Sequence, residues 1–200
     1  MSKIAIDVVL LPPDNIVDVC IFLNKQDPNP FSVLNKIDNF SHITLFMGIA
    51  DEDQLLEIEK ILKNIANDFN PLVLEIIDMY VEVTPDGRHS QELVISPTSE
   101  LVRLHSILMN RLSQFLSEEV DIGMFYKDSE EKLHEASVFW VKNFKKNNLN
   151  PIKFSPHISL KCGRAQYDNY PIEFKVVRLA LCRLGDYCTC RKILKEVELR

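Results

Sequence analysis

The chain has 200 residues, of which 46% are hydrophobic, 26% charged and 8% aromatic, the composition of a soluble globular protein with ample length for a core. Collagen-like, coiled-coil and fully disordered organisations are excluded on that ground. Twenty-three basic against 29 acidic residues give a net charge of −6, which argues against coating long duplex nucleic acid through phosphate contacts.

The apolar run over residues 4–11 is too short for a signal peptide, is interrupted by Asp7 and lacks a small-residue cleavage site. No stretch approaches the roughly 20 apolar residues of a membrane span, so no membrane partner is expected. Cys20, Cys162, Cys182, Cys188 and Cys190 form an odd set without CxxC spacing, and the expectation is reduced thiols in the cytoplasm. As half a zinc site, Cys182, Cys188 and Cys190 lack a fourth ligand nearby; no metal is expected there.

In chain order, residues 4–11 read as a buried strand closed by Pro12-Pro13, and Asp14 caps a helix carrying Ile16, Val17, Cys20, Ile21 and Leu23. Residues 27–30, with two prolines, make a loop before a strand over 40–49. Asp51 then caps a periodic helix with Leu55, Ile58, Leu62, Ile65 and Phe69 on one face and acids in its first turn. A hairpin follows over 72–84 and 92–96, around Pro85-Asp86-Gly87. Thr98 caps a helix to about residue 116, with Leu101, Leu104, Leu108, Leu112 and Phe115 inward. Residues 120–126 are predicted as a strand, 129–146 as a helix and 155–163 as a strand; 174–184 and 188–199 form a terminal hairpin turning at Gly185-Asp186. Strands and helices alternate without repeated crossover units, so the expected class is α+β, in one domain over residues 1–200.

One internal echo carries chemistry. Phe40-Ser41-His42-Ile43-Thr44-Leu45-Phe46-Met47-Gly48 matches Ser155-Pro156-His157-Ile158-Ser159-Leu160-Lys161-Cys162-Gly163 at His, Ile, Leu and Gly, with Thr matched by Ser. On a strand, His42 and Thr44 share one face and Ile43 and Leu45 the other; His157 and Ser159 behave likewise. Such a motif arises by chance about 0.2 times in a chain of this composition, so its recurrence stands against the plainer reading of two half-buried strands with satisfied histidines. Two histidines on one cleft suit phosphodiester cleavage: a neutral imidazole takes a proton, an imidazolium gives one, and hydroxyls donate to the non-bridging oxygens.

The pair His42-Ile43-Thr44-Leu45 and His157-Ile158-Ser159-Leu160, about a hundred residues apart, resembles the signatures of the 2H phosphoesterase superfamily, especially its LigT-like or 2′-5′ RNA ligase branch. That resemblance covers most of the chain and implies a bilobal α+β fold, two pseudo-symmetric lobes of antiparallel sheet and helices around a central cleft. It also implies cofactor-free, metal-independent hydrolysis of 2′,3′-cyclic phosphates or 2′-5′ linkages on RNA ends or small nucleotides, by a monomer. His42 and His157 would be the acid/base pair, with His42 as acid, and Thr44 and Ser159 the phosphate ligands. Many relatives carry an arginine two places after the second motif's last apolar residue; here Leu160 is followed by Lys161 and Cys162. Lys161, alternating onto the face of His157 and Ser159, is the candidate replacement, and Arg164 a candidate at the cleft rim. The same fold without turnover, a nucleotide- or RNA-end-binding module, is the alternative.

Other residues are set aside. His105 lies between Leu101 and Leu108 on an apolar helix face, which suits packing, and His89 and His134 fit no metal spacing. Asp51-Glu52-Asp53 suits a helix start. Phe46, Phe125, Tyr126 and Trp140 are each able to stack on a base, but aromatics at this density belong to the core. Finally, residues 136–167 carry six cations, Lys142, Lys145, Lys146, Lys153, Lys161 and Arg164, and no acid, so the rest of the chain is −12. A local cationic wall beside the second motif is the expectation.

Overall fold

The computed structural model describes residues 2–148 and 150–200. In β1 (Lys3–Leu11), Ile4, Ile6, Val8 and Leu10 enter the main core, while Ala5, Asp7, Val9 and Leu11 alternate to the other face. That strand lies in an antiparallel sheet ordered β2 (Ile43–Asp51), β1, β7 (Arg178–Leu184), β8 (Cys190–Glu198). A second antiparallel sheet is ordered β5 (His157–Ser159), β4 (His89–Ile95), β3 (Leu72–Val83), β6 (Ile172–Val176). Each motif strand, β2 and β5, is thus an edge strand of its own sheet, and the two touch across the space between the sheets.

Helices α1 (Asp14–Asn24), α2 (Leu55–Ala66) and α3 (Ser99–Leu112) bury Ile16, Cys20, Ile58, Leu62, Leu101, Leu104 and Leu108 in the main core, which draws on both sheets. α4 (Glu135–Asn148) instead packs Val141 with Ala5, Ile49 and Phe125 on the opposite face of the first sheet. Two lobes of sheet and helix facing each other make this the expected α+β architecture. No helix among the described residues is long and apolar enough to cross a membrane.

Several elements differ from the sequence expectation. Residues 120–126 form no strand: Asp121 accepts a hydrogen bond from the Gly123 amide and starts the short 3₁₀ turn Ile122–Met124. Helix α4 starts at Glu135, not 129, because the Asp186 carboxylate accepts from the His134 amide, while Glu131 and Asp128 are drawn off to Arg191. Residues 174–184 are two strands in different sheets, with the crossing at Val177. Cys182 and Cys190 are joined as a disulfide across β7 and β8, which corrects the expectation of five reduced thiols. The turn between those strands brings their Cα atoms within 5.6 Å; Cys20, Cys162 and Cys188 are free and buried.

Candidate active site

His42 stands immediately before β2 and His157 opens β5. Each ring is fixed the same way. His42 Nδ1–H donates to the Phe40 carbonyl at 2.8 Å and His157 Nδ1–H to the Ser155 carbonyl at 2.9 Å, two residues back in both cases. Because Nδ1 carries the hydrogen, the neutral ring leaves Nε2 bare, so Nε2 is the nitrogen free to accept a proton in both motifs. Both histidines, with Thr44, Ser159 and Lys161, line one cleft of about 280 Å³.

A buried carboxylate accompanies each motif, supplied by the neighbouring strand. Asp7 of β1 is fully buried; its Oδ2 lies 2.7 Å from Thr44 Oγ1 and 3.7 Å from His42 Nε2. In the other lobe Glu92 of β4 is 2% exposed, its Oε2 3.5 Å from His157 Nε2. Here a further hydroxyl intervenes: Ser90 Oγ donates to Glu92 Oε1 at 2.7 Å and lies 3.2 Å from Ser159 Oγ. Strand pairing explains the placement, since Glu92 stands opposite Ser159 and alternation puts Ser90 and Glu92 on one face.

Lys161 reaches the cleft by an unexpected route. The regular register of β5 with β4 ends at Ser159; the Leu160 amide still donates to the Gln91 carbonyl and the Gln91 amide to the Cys162 carbonyl, and between these bonds Lys161 adopts a left-handed φ of 55° instead of continuing the pleat. Its Nζ, buried, donates to the Tyr187 carbonyl at 2.7 Å. Tyr187 and Cys188 are themselves left-handed, with φ of 51° and 53°. Three strained non-glycine residues from two lobes therefore meet at the cleft floor, the kind of site where backbone strain is retained.

Burial sets the electrostatics. It pushes the His42 imidazole down to about 4; the Lys161 ammonium adds to the fall and the Phe40 carbonyl opposes it. Burial also holds the Asp7 carboxyl well above the usual carboxylate range, against the pull of Thr44 and Lys161. The His42–Asp7 contact thus sets a ring that burial keeps neutral near pH 7 beside a carboxyl that burial biases toward its neutral form, and it is too long for a hydrogen bond. Across the cleft, burial and then Glu92 raise Glu82, and burial raises Tyr80 to about 12. Cys188, also lining the cleft, is pushed by burial to about 12, so it stays a thiol.

Of the predicted residues, His42, Thr44, His157, Ser159 and Lys161 share the cleft, whereas Arg164 does not reach it. Arg164 lines a separate concavity with Asp27, Arg88 and His89, where the Gly163 amide donates to Asp27 Oδ2 and Gly163 packs against the His89 carbonyl. The cationic wall is correspondingly small: Lys153 and Lys161 line the cleft, and Lys142, Lys145 and Lys146 project to solvent from α4. A bulge in the β1–β2 pairing flips the alternation after Thr44, so that Phe46 is core and Met47 lines the cleft. Phe125 is likewise core, and Trp140 borders the cleft. His105 packs as expected, stacked on Phe154 and bonded to the Leu45 carbonyl. Sequence reasoning missed Asp7, Ser90 and Glu92; the signal for Asp7 was a lone acid inside an otherwise apolar strand.

No family model matches the chain, and no curated protein matches its sequence. Solved structures do match over its full length. TT0787 of Thermus thermophilus superposes with a TM-score of 0.63 at 16% identity, covering 98% of both chains. E. coli LigT complexed with 3′-AMP gives a TM-score of 0.58 at 14% identity over 99% of both chains. The fold is that of LigT. A structure described as a phosphoesterase gives 0.57 at 15% identity, again over 99% of both chains, so the LigT-like arrangement takes in every element from β1 to β8.

Proposed function

We propose that the protein is a phosphodiesterase that opens 2′,3′-cyclic phosphates, or cleaves 2′-5′ linkages, of RNA ends or small nucleotides by two-histidine acid/base catalysis. The observation that carries this reading is the matched pair of imidazoles, each with Nδ1 tied to a carbonyl two residues back and Nε2 presented to the same cleft. LigT, similar in fold, binds 3′-AMP and phosphate in its crystals, which supports a phosphate-bearing nucleotide as the ligand class.

In this reading a scissile phosphate sits between the motifs, held by the hydroxyls of Thr44 and Ser159 and by Lys161. Unequal burial divides the roles. His42, held neutral, takes a proton from the attacking water at Nε2; the more exposed His157 delivers one to the leaving ribose oxygen. That reverses the roles expected from sequence, because burial and Lys161 strip His42 of its proton in the free protein. The charge of a bound phosphodiester raises His42 again, which improves it as a base. Proton transfer between imidazoles, water and substrate needs no metal.

The test is hydrolysis of a 2′,3′-cyclic nucleotide by purified protein in excess chelator. Turnover is expected, with His42→Ala and His157→Ala each lowering it by about 10²-fold or more. Undiminished turnover in either variant sinks the mechanism, and binding without turnover selects the non-catalytic module.

A further inference from the structure

The two motifs differ in one respect that the phosphodiesterase reading does not use. Ser159 reaches its carboxylate through Ser90, whereas Thr44 touches Asp7 directly. We infer that Asp7 is a positioning residue: it donates its carboxyl hydrogen to Thr44 and so turns the Thr44 hydroxyl outward to an oxygen of the bound phosphate. This rests on the proposal that a phosphate occupies the cleft.

A threonine hydroxyl has one hydrogen, and an ionised carboxylate only accepts. At 2.7 Å, an ionised Asp7 would take that hydrogen inward and leave Thr44 presenting only lone pairs to an anion. A neutral Asp7 reverses the bond. Its own hydrogen goes from Oδ2 to Thr44 Oγ1, and the Thr44 hydrogen is released toward the cleft. The heavy atoms need not move, since either arrangement fits the same oxygen separation.

Burial is the dominant influence on Asp7, and it favours the neutral acid. It is completely buried, and its Oδ1 has no hydrogen-bond partner among the described residues, a costly place for a full charge. From β2 it faces His42, Thr44 and Met47; of these His42 is held neutral and Met47, its register partner, is apolar. From β7 its register partner is Cys182, whose sulfur is in the disulfide. From the β7–β8 turn comes the Cys188 thiol, which stays protonated. Two groups pull Asp7 down: Thr44, as a donor, and the Lys161 ammonium, which gives one of its hydrogens to the Tyr187 carbonyl. Burial outweighs that pull, and the carboxyl stays well above its ordinary range.

The second motif has no direct contact between hydroxyl and acid. Ser90 gives its single hydrogen to Glu92 and so only accepts from Ser159, at 3.2 Å, a longer and weaker contact than the 2.7 Å between Thr44 and Asp7 and one that Ser159 gives up when it donates to a phosphate.

Calorimetric titration with 3′-AMP at pH 7 and pH 9 tests this, on wild type, Asp7→Asn, Asp7→Ala and Thr44→Val, with folding of each checked by circular dichroism. An asparagine amide donates where the neutral acid did, so Asp7→Asn is expected to bind within about threefold of wild type at pH 7 and at least as tightly at pH 9. Asp7→Ala is expected to bind roughly tenfold more weakly at both, the worth of one hydrogen bond to an anion, and to add nothing in the Thr44→Val background. A folded Asp7→Asn that binds as weakly as Asp7→Ala overturns the assignment. If wild type binds no 3′-AMP, both this inference and the phosphate-site reading fall. If the variants behave as expected while His157→Ala leaves turnover unchanged, only the catalytic mechanism falls.

Discussion

Acidification is expected to destabilise the fold through His42, and the structure gives the size of the effect. The side chain is only 9% exposed, and its value lies at about 4 against an ordinary 6.5. Because the folded value is depressed, the unfolded chain takes the proton first: His42 costs nothing above about 6.5, and stability is lost as the pH falls toward 4. The gap amounts to about 2 kcal/mol by pH 5 and about 3 kcal/mol by pH 4. Asp7 runs the other way. Its raised value means that its contribution is intact below the ordinary 3.8 and is lost as the pH rises, so it does not produce a loss on acidification. Urea denaturation of wild type and His42→Gln at pH 7, 6 and 5 isolates the effect, since glutamine fills similar space without titrating. The wild-type unfolding free energy is expected to fall by about 2 kcal/mol relative to the variant between pH 7 and pH 5. Parallel curves would refute the claim that His42 is buried as a neutral ring.

The same burial puts the acid limb of kcat/KM for a cyclic nucleotide near pH 4 in the free protein; a limb at 6.5 would contradict His42 as base. Lys161→Ala is expected to raise KM for a cyclic nucleotide by roughly tenfold, the worth of a cation–phosphate hydrogen bond, and an unchanged KM would remove Lys161 from the site. The motif glycines predict a ranking by thermal denaturation. A Cβ at Gly163 meets the His89 carbonyl oxygen at 2.9 Å, whereas one at Gly48 meets only the end of the Leu116 side chain. Gly48→Ala is expected to cost about 1–3 kcal/mol and Gly163→Ala more, because backbone yields less readily than a rotamer; the reverse order would contradict the packing.

The fold, and the residues that the structure gathers at the candidate cleft, were legible in the sequence where local pattern and tertiary demand agreed. The apolar run of β1, the periodic faces of α2 and α3, and the repeated His-x-Thr/Ser spacing each point to one structure, and the structure has it. Failures lie where tertiary contacts decide. The start of α4 is set by Asp186, fifty-odd residues away in the chain, and not by the local Ser129-Glu130-Glu131. Lys161 reaches the cleft, but through a left-handed turn that alternation does not anticipate. Nor does the local pattern anticipate that Arg164 follows Gly163 into the concavity beside Asp27 and His89. Asp7 and Glu92 were hidden because their partners are on neighbouring strands, and register is not written in either strand alone.

The central claim is that His42 and His157 act as one unit on one phosphate. The most direct measurement is kcat/KM for a 2′,3′-cyclic nucleotide, in chelator, for wild type, His42→Ala, His157→Ala and the double variant. Each single variant is expected to lose about 10²-fold or more and the double variant little beyond the worse single, since groups acting as a unit are strongly non-additive. Losses that multiply, or a single variant with wild-type activity, would contradict that claim.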